Sequence, residues 1–395
     1  MKVNKDHKTE NFSPEMRLML LCSLKQMSKE QIGKAREIIS SGVERHAFIE
    51  LIDQHRLIPV VCNHMFTHAG LTADDPLMKE LRVFRNRRMI RSLKLASAWA
   101  EINAALNEAG IRVLQLKGPA LCLQIHGDIH SRISKDLDLL VDRDDIDEAD
   151  RVLRAAEYKR ISPSPDLTPK QMKMWQKNHH HYSYIGANTI NIELHFRLST
   201  FVYGISFDML WKNRRVGRFG KAEYAYLSPE EELLYYAYHG AQHAWNRLRW
   251  LVDIDELLRA GNANLDHLVR LARERRQTHV LSQAVLLCER LFLSDIPEAL
   301  RETVNDDPLG KRIAEMAIPF ILASEDGAGN LALKKYGLWI QRGFSQKRRF
   351  IAMHFQPQEK DFQSVKFADK VFFAYYPVRI LNWAKKRLFG KRGQK

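Results

Sequence analysis

The sequence predicts an α+β protein: a small mixed sheet flanked by helices and set between two helical regions. Three observations predict it. Apolar residues recur at intervals of three and four from Ser13 to about Ala109. Short, dense apolar runs with two-residue alternation then replace that rhythm, and helical spacing returns from Ser228 to about Arg342. The implied boundaries are 1–109 (helical), 110–226 (α/β core), 227–345 (helical) and 346–395 (basic, aromatic tail).

In the first region Met16, Met19 and Leu20, then Phe48, Leu51 and Ile52, mark helical faces. Gly110 stands where a helix ends, and Ile111–Leu116 reads as a short buried strand. That strand stops at Lys117-Gly118-Pro119. A short apolar helix, Ala120–Ile125, leads through the polar loop 127–135 to a second strand, Asp136–Val141. Asp144 is the expected cap of a helix reaching about Glu157. After the connector Ser162-Pro163-Ser164-Pro165, Tyr182–Ile185 and Thr189–Phe196 read as strands joined by a turn at Gly186-Ala187-Asn188. Ser228, followed by Glu230 and Glu231, marks the start of the next helix.

Composition narrows the class. The 395 residues are 45% hydrophobic and 28% charged, which excludes a disordered chain. The net charge is +15. Residues 347–395 hold 13 Lys/Arg against 3 Asp/Glu, so the body is near neutral and the basicity belongs mainly to the tail. No run approaches the ~20 apolar residues that cross a bilayer, and the polar MKVNKDHKTE start lacks a secretory h-region. The four cysteines (Cys22, Cys62, Cys122, Cys288) are scattered without metal-ligand spacing and read as buried thiols of a cytoplasmic protein.

The chemistry concentrates on two strands. Residues i and i+2 leave one face of a strand, so Asp136 and Asp138 project together while Leu137 and Leu139 face the core. Two such carboxylates repel, and a divalent cation with hard oxygen preference, Mg²⁺ or Mn²⁺, relieves the cost. In the later strand Glu193 and His195 share the polar face. A third carboxylate there would complete a cage for two ions ~3.5–4 Å apart.

The run Leu116-Lys117-Gly118-Pro119-Ala120, then Arg132, then Lys135-Asp136-Leu137-Asp138-Leu139-Leu140-Val141, with Ile192-Glu193-Leu194-His195 downstream, resembles the bacterial nucleotidyltransferase-fold family often found with polysaccharide-biosynthesis genes, within the DNA polymerase β-like superfamily. The resemblance extends to Leu227–Leu258, through His239, His243, Arg247, Leu248, Trp250 and Asp253. It implies a polymerase β-like core, metal binding by Asp136 and Asp138, and Glu193 as third acid helping to deprotonate a hydroxyl. It also implies a nucleotide-binding turn at Gly118. Where the superfamily has Gly-Ser close before the acids, this chain has Gly118-Pro119 and a longer gap; proline lacks a backbone donor, and Lys117 and Arg132 are the expected substitutes for the phosphate charge.

Other candidates read differently. On a strand the run His179-His180-His181 would alternate faces and share no ligand set. His239 and His243, at i and i+4, are expected to line the core edge or the active site. Asp253 and Asp255 fall on different helix faces and are expected to cap or meet solvent. Trp175, Trp211, Trp245 and Trp250 are expected in the core. From Lys366 onward aromatics alternate with cations, with Pro377 expected to separate two short helices; a plain solvated or core-docked terminus is the leading expectation, peripheral contact with an anionic membrane also suits this tail, and nucleic acid suits it less well.

The expected activity is metal-dependent transfer of a nucleoside monophosphate from a nucleoside triphosphate to a hydroxyl of an unidentified acceptor. The expected alternative is a catalytically inactive module of the same fold that binds or regulates, associated with the membrane surface in polysaccharide biosynthesis.

Overall fold

The computed structural model describes residues 11–186, 189–201, 205–323 and 330–389. Five helices open it: α1 (Pro14–Leu21), α2 (Lys29–Ser41), α3 (Arg45–Gln54), α4 (Ile58–His68) and α5 (Pro76–Glu108). The long α5 begins with the Asp75 carboxylate accepting from the Leu77 amide and with proline at its first position. It ends at Gly110, whose φ is +74°; the Gly110 amide donates to Asn107 and the Ile111 amide to Leu106, a Schellman closure that turns the chain into the sheet.

The sheet has seven strands: β1 (Val113–Gln115), β2 (Asp136–Val141), β3 (Lys159–Ser162), β4 (His181–Ile185), β5 (Asn191–His195), β6 (Arg215–Phe219) and β7 (Ala222–Tyr226). Their order is β3-β4-β5-β2-β1-β7-β6, with β2·β5 and β1·β7 parallel. Helices α6 (Pro119–His126), α7 (Ile146–Ala155), α8 (Pro169–Asn178) and α9 (Phe207–Lys212) connect them. Sequence reasoning missed β3, β6 and β7. The β6 residues Arg215, Val216 and Arg218 are exposed, so no apolar rhythm announced that edge strand. Helix α7 starts one residue later than expected: Asp145 takes the cap position with no side-chain bond, and Asp142 accepts from the Asp144 amide just before it. Ala187 and Asn188 of the expected hairpin turn lie outside the described residues.

The sheet is covered on both faces. Leu137, Leu139 and Val141 pack with α5, α7 and Trp175, whereas Leu114, Leu116 and Leu140 join α1–α4 and the later helices in a second, larger core. Those later helices are α10 (Pro229–Gln242), α11 (Arg249–Ala260), α12 (Leu265–Glu274), α13 (Thr278–Phe292), α14 (Glu298–Asn305), α15 (Pro308–Leu322), α16 (Asn330–Trp339) and α17 (Phe344–Met353). Ser228 caps α10 as expected, accepting from Glu231. Trp175, Trp245 and Trp250 are buried; Trp211 is half-buried between Phe207 and Arg214. All four cysteines are buried free thiols.

Ion pairs made by two buried aspartates correct the expectation for Asp253 and Asp255. Asp253 accepts from Arg132 Nε and Nη2, both at 2.8 Å, while Asp255 pairs with Arg259 at 2.5 Å. The first pair ties α11 to the loop before β2.

The tail comprises α18 (Glu359–Ser364), a 3₁₀ turn Asp369–Ala374 and α19 (Tyr375–Phe389). It docks on the proline-rich connector and α8: Ser164 donates its amide to Glu359 at 2.9 Å, Gln171 donates to the Tyr375 hydroxyl at 3.0 Å, and Phe362, Phe372 and Tyr375 form a small apolar cluster. Pro377 does not divide two helices. It sits in the first turn of α19, where a missing amide leaves no bond unmade. Among the described residues no helix is long and apolar enough to cross a membrane.

Removing Arg132 strands a buried carboxylate, so Arg132→Ala is expected to cost about 3–5 kcal/mol, read as a loss in chemical-denaturation free energy. A pH effect should accompany Glu232 on α10. Burial pushes its carboxyl up to about 8, against hydrogen bonds from Gln124 and Tyr236. The folded value lies above the ordinary 4.5, so the native chain holds a proton that the unfolded chain has released, and stability falls as pH rises from about 4.5 to 8. Denaturation at several pH values should find this slope reduced in Glu232→Gln.

Candidate active site

The acids converge because β2 and β5 run parallel in one register. Asp138 pairs with Glu193, and Leu140 with His195. Asp136, Asp138, Glu193 and His195 therefore share the face of the sheet that meets α10 and α11, and they line a cavity of about 310 Å³. Lys117 at the end of β1 enters the same space, its Nζ 3.1 Å from Asp138 Oδ1 and 3.4 Å from both ring nitrogens of His239. Gly118 follows with φ +73°, a conformation β-carbon-bearing residues rarely adopt, and its missing side chain leaves the Asp136 carbonyl close by. Pro119 occupies the first position of α6, where its lost donor has no intrahelical partner in any case.

From the opposite wall, α10 and its C-terminal turn supply His239 and His243, both packed on Trp250 with ring centroids 5.1 Å apart. That turn is tight. Ala244 and Trp245 both take positive φ, and the buried Trp245 ring lies where a β-carbon on Gly240 would be, 2.1 Å away. Only glycine at 240 lets the turn close and aim His243 at the acids.

The charges are unequal. Burial and the neighbouring Asp138 and Glu193 push Asp136 up to about 6. Burial opposes ionisation of Asp138 as well, yet Lys117 and a hydrogen bond from His195 hold it well below the usual range. His195 is raised: its burial is outweighed by the bonds to Asp138 and Glu193, whose oxygens lie 3.4 and 3.5 Å from its Nε2. Burial and Lys117 keep His239 well below, and His243 at about 4. The cavity thus gathers three carboxylates with Lys117, the arginines Arg56, Arg132, Arg247 and Arg249, and imidazoles of which His239 and His243 are kept neutral. Asp136, raised by burial first and by its two acidic neighbours next, is the carboxylate whose charge a bound cation would stabilise most.

Asp138, Glu193 and His195 offer ligand atoms within 4.8 Å of one another. With Asp136 beside them, the carboxylate oxygens suit a hard divalent cation.

Arg132, expected at the phosphates, lines the cavity but is committed elsewhere: besides the two bonds to Asp253, its Nη1 donates to Ser134 at 2.9 Å. Sequence reasoning missed Arg249, buried beneath the floor and donating to the Ile133 carbonyl, and it separated His180 and His181 from the acids. Both histidines line the cavity. Antiparallel pairing of β4 with β5 puts His181 opposite His195, a long-range placement that no local spacing announces. A larger hollow of about 650 Å³ near Gln124 and Glu256 contains no comparable cluster; its Glu232 is bonded by Gln124 and Glu256 by the Lys25 amide.

The profile of one protein family, described as an uncharacterised nucleotidyltransferase, matches residues 41–293. No curated protein and no solved structure matches the chain. The matched span is more than half of the chain and takes in the sheet, Lys117, both aspartates of β2, Glu193 and the His239–Trp250 wall. The chain belongs to this nucleotidyltransferase family.

Proposed function

We propose that the protein transfers a nucleoside monophosphate from a nucleoside triphosphate to an acceptor hydroxyl, releasing pyrophosphate, in a metal-dependent reaction. One observation carries the reading: Asp136 and Asp138 sit two residues apart on one face of β2, with Glu193 in parallel register beside Asp138.

Asp136, Asp138 and Glu193 would hold Mg²⁺ or Mn²⁺, which neutralises phosphate oxygens and acidifies the attacking hydroxyl. Lys117 keeps Asp138 ionised before the cation arrives, and its ammonium is near enough to turn toward a phosphate. Glu193, partly exposed at the cavity mouth, is placed to take the hydroxyl proton. Gly118, which precedes α6, lines the cavity, and proline at 119 removes only one donor there. His239 and His243, kept neutral, line the acceptor side without competing for the cation's charge. Arg132 acts through the wall that it braces.

The test is a transfer assay with each α-labelled nucleoside triphosphate in Mg²⁺ and Mn²⁺, using cell extract as acceptor source. Label is expected with wild type, and Asp136→Ala or Asp138→Ala should lower it by at least ~100-fold. Lys117→Met should cost ~10–100-fold, with the fold retained by circular dichroism. A folded wild type that binds nucleotide yet labels nothing would turn the reading to the non-catalytic module.

We also propose that the tail rests on an anionic bilayer. Phe373, Tyr376, Ile380 and Trp383 are exposed at helical spacing on and just before α19, with Lys366, Lys370 and Lys385 exposed among them. Full-length protein should float with vesicles containing phosphatidylglycerol and stay behind with neutral ones. Triple substitution of Phe373, Ile380 and Trp383 by Ser should abolish flotation; equal partitioning of both chains would refute the placement.

A further inference from the structure

His180, His181 and His195 gather on the flank of the carboxylates. Ring centroids are 4.7 Å apart for His180–His181, 5.3 Å for His180–His195 and 5.0 Å for His181–His195. Each offers a ring nitrogen within 4.8 Å of the other two. His195 is buried, its side chain only 2% exposed; its Nε2 faces Asp138 and Glu193 at 3.4 and 3.5 Å, while its Nδ1 and His181 Nδ1 are buried without a hydrogen-bond partner. Burying imidazole nitrogens in this state is costly, and these two belong to neighbouring rings 5.0 Å apart.

The ring of His180 is oriented by a bond that leaves its other nitrogen available. His180 Nδ1 lies 3.0 Å from Thr200 Oγ1, and that hydroxyl donates to the Asn178 carbonyl. With the hydroxyl proton turned to Asn178, 3.5 Å away, Nδ1–H donates to Thr200 and Nε2 keeps its lone pair. A metal-ligating histidine is held in this way by a partner on its other nitrogen.

We propose that His180, His181 and His195 form a transition-metal site for an ion of the Zn²⁺ or Co²⁺ type, adjoining the carboxylates and distinct from Asp136. Three imidazoles with a fourth position left open suit such an ion, whereas Mg²⁺ prefers oxygen. Glu193 Oε2, 3.9 Å from His181 Nδ1, borders the open position. The inference does not require nucleotidyl transfer, since the triad would bind its ion whether or not the neighbouring acids support turnover.

Co²⁺ titration of the full-length, metal-stripped protein tests it, followed by visible absorbance and competition with Zn²⁺. Wild type is expected to give the intense bands of four-coordinate, imidazole-bound Co²⁺, displaced by Zn²⁺ and not by Mg²⁺. His180→Ala and His181→Ala should each weaken binding at least ~10-fold, and Thr200→Val, which touches no metal, ~10-fold or more by freeing the His180 ring. Asp136→Asn should abolish label transfer while keeping the Co²⁺ spectrum, so failure of the transfer reading and failure of this one are separable. An unchanged spectrum and affinity in both histidine variants, folded by circular dichroism, would overturn the proposal; so would a wild type that binds no Co²⁺. His181→Asn, close in size, covers the case in which an alanine variant does not fold.

Discussion

The parallel pairing of β2 with β5 is the constraint on which the rest depends. It puts Asp138 beside Glu193 with Asp136 two residues away, and it concentrates negative charge where both strands are otherwise apolar. Like charges at that spacing are tolerable only with compensation. Lys117 supplies one cation at 3.1 Å and His195 lies between two of the acids, yet burial and the two neighbouring acids still push Asp136 up to about 6. The pairing thus gathers carboxylate oxygens of the kind a hard divalent cation prefers.

The helical regions exist, in this light, to hold the rear and the roof of that pocket still. Arg132 on the loop before β2 grips Asp253 on α11; Tyr236 on α10 donates to the Leu116 carbonyl at 2.6 Å, one residue before Lys117. The Leu248 amide donates to His55, linking the start of α11 to the end of α3. Each contact joins segments far apart in the chain, and each ends within a few residues of a group that faces the cavity. Rigid placement of this kind is what phosphoryl chemistry asks of a protein, because most of the catalysis is position and charge.

The histidines divide into two sets by what surrounds them. His239 and His243 sit against Trp250 and the Lys117 ammonium, so they stay neutral and line a wall. His180 and His181 face His195 instead, with lone pairs and few partners. One cavity therefore presents an oxygen-rich side and a nitrogen-rich side, joined at His195. The tail belongs to neither set; it is anchored on α8 by buried aromatics and leaves a different aromatic face outward.

Local chemistry made the carboxylates legible. Alternation in Asp136–Leu139 and in Ile190–Arg197 assigns faces without any knowledge of partners, and Gly110 and Gly118, through their backbone, and Ser228, through its hydroxyl, announce where the chain turns or a helix starts. Resemblance to known motifs then tied those acids to a reaction class. Tertiary structure decided everything that depends on a partner distant in sequence. Arg132 reads as a free cation until Asp253, 121 residues on, takes its guanidinium. Asp253 reads as a surface acid for the same reason. His180 and His181 diverge by local geometry and converge only because β4 pairs with β5 and Thr200 turns one ring. Alternation is a property of the strand itself; which charge meets which is a property of the pairing, and no single strand contains it.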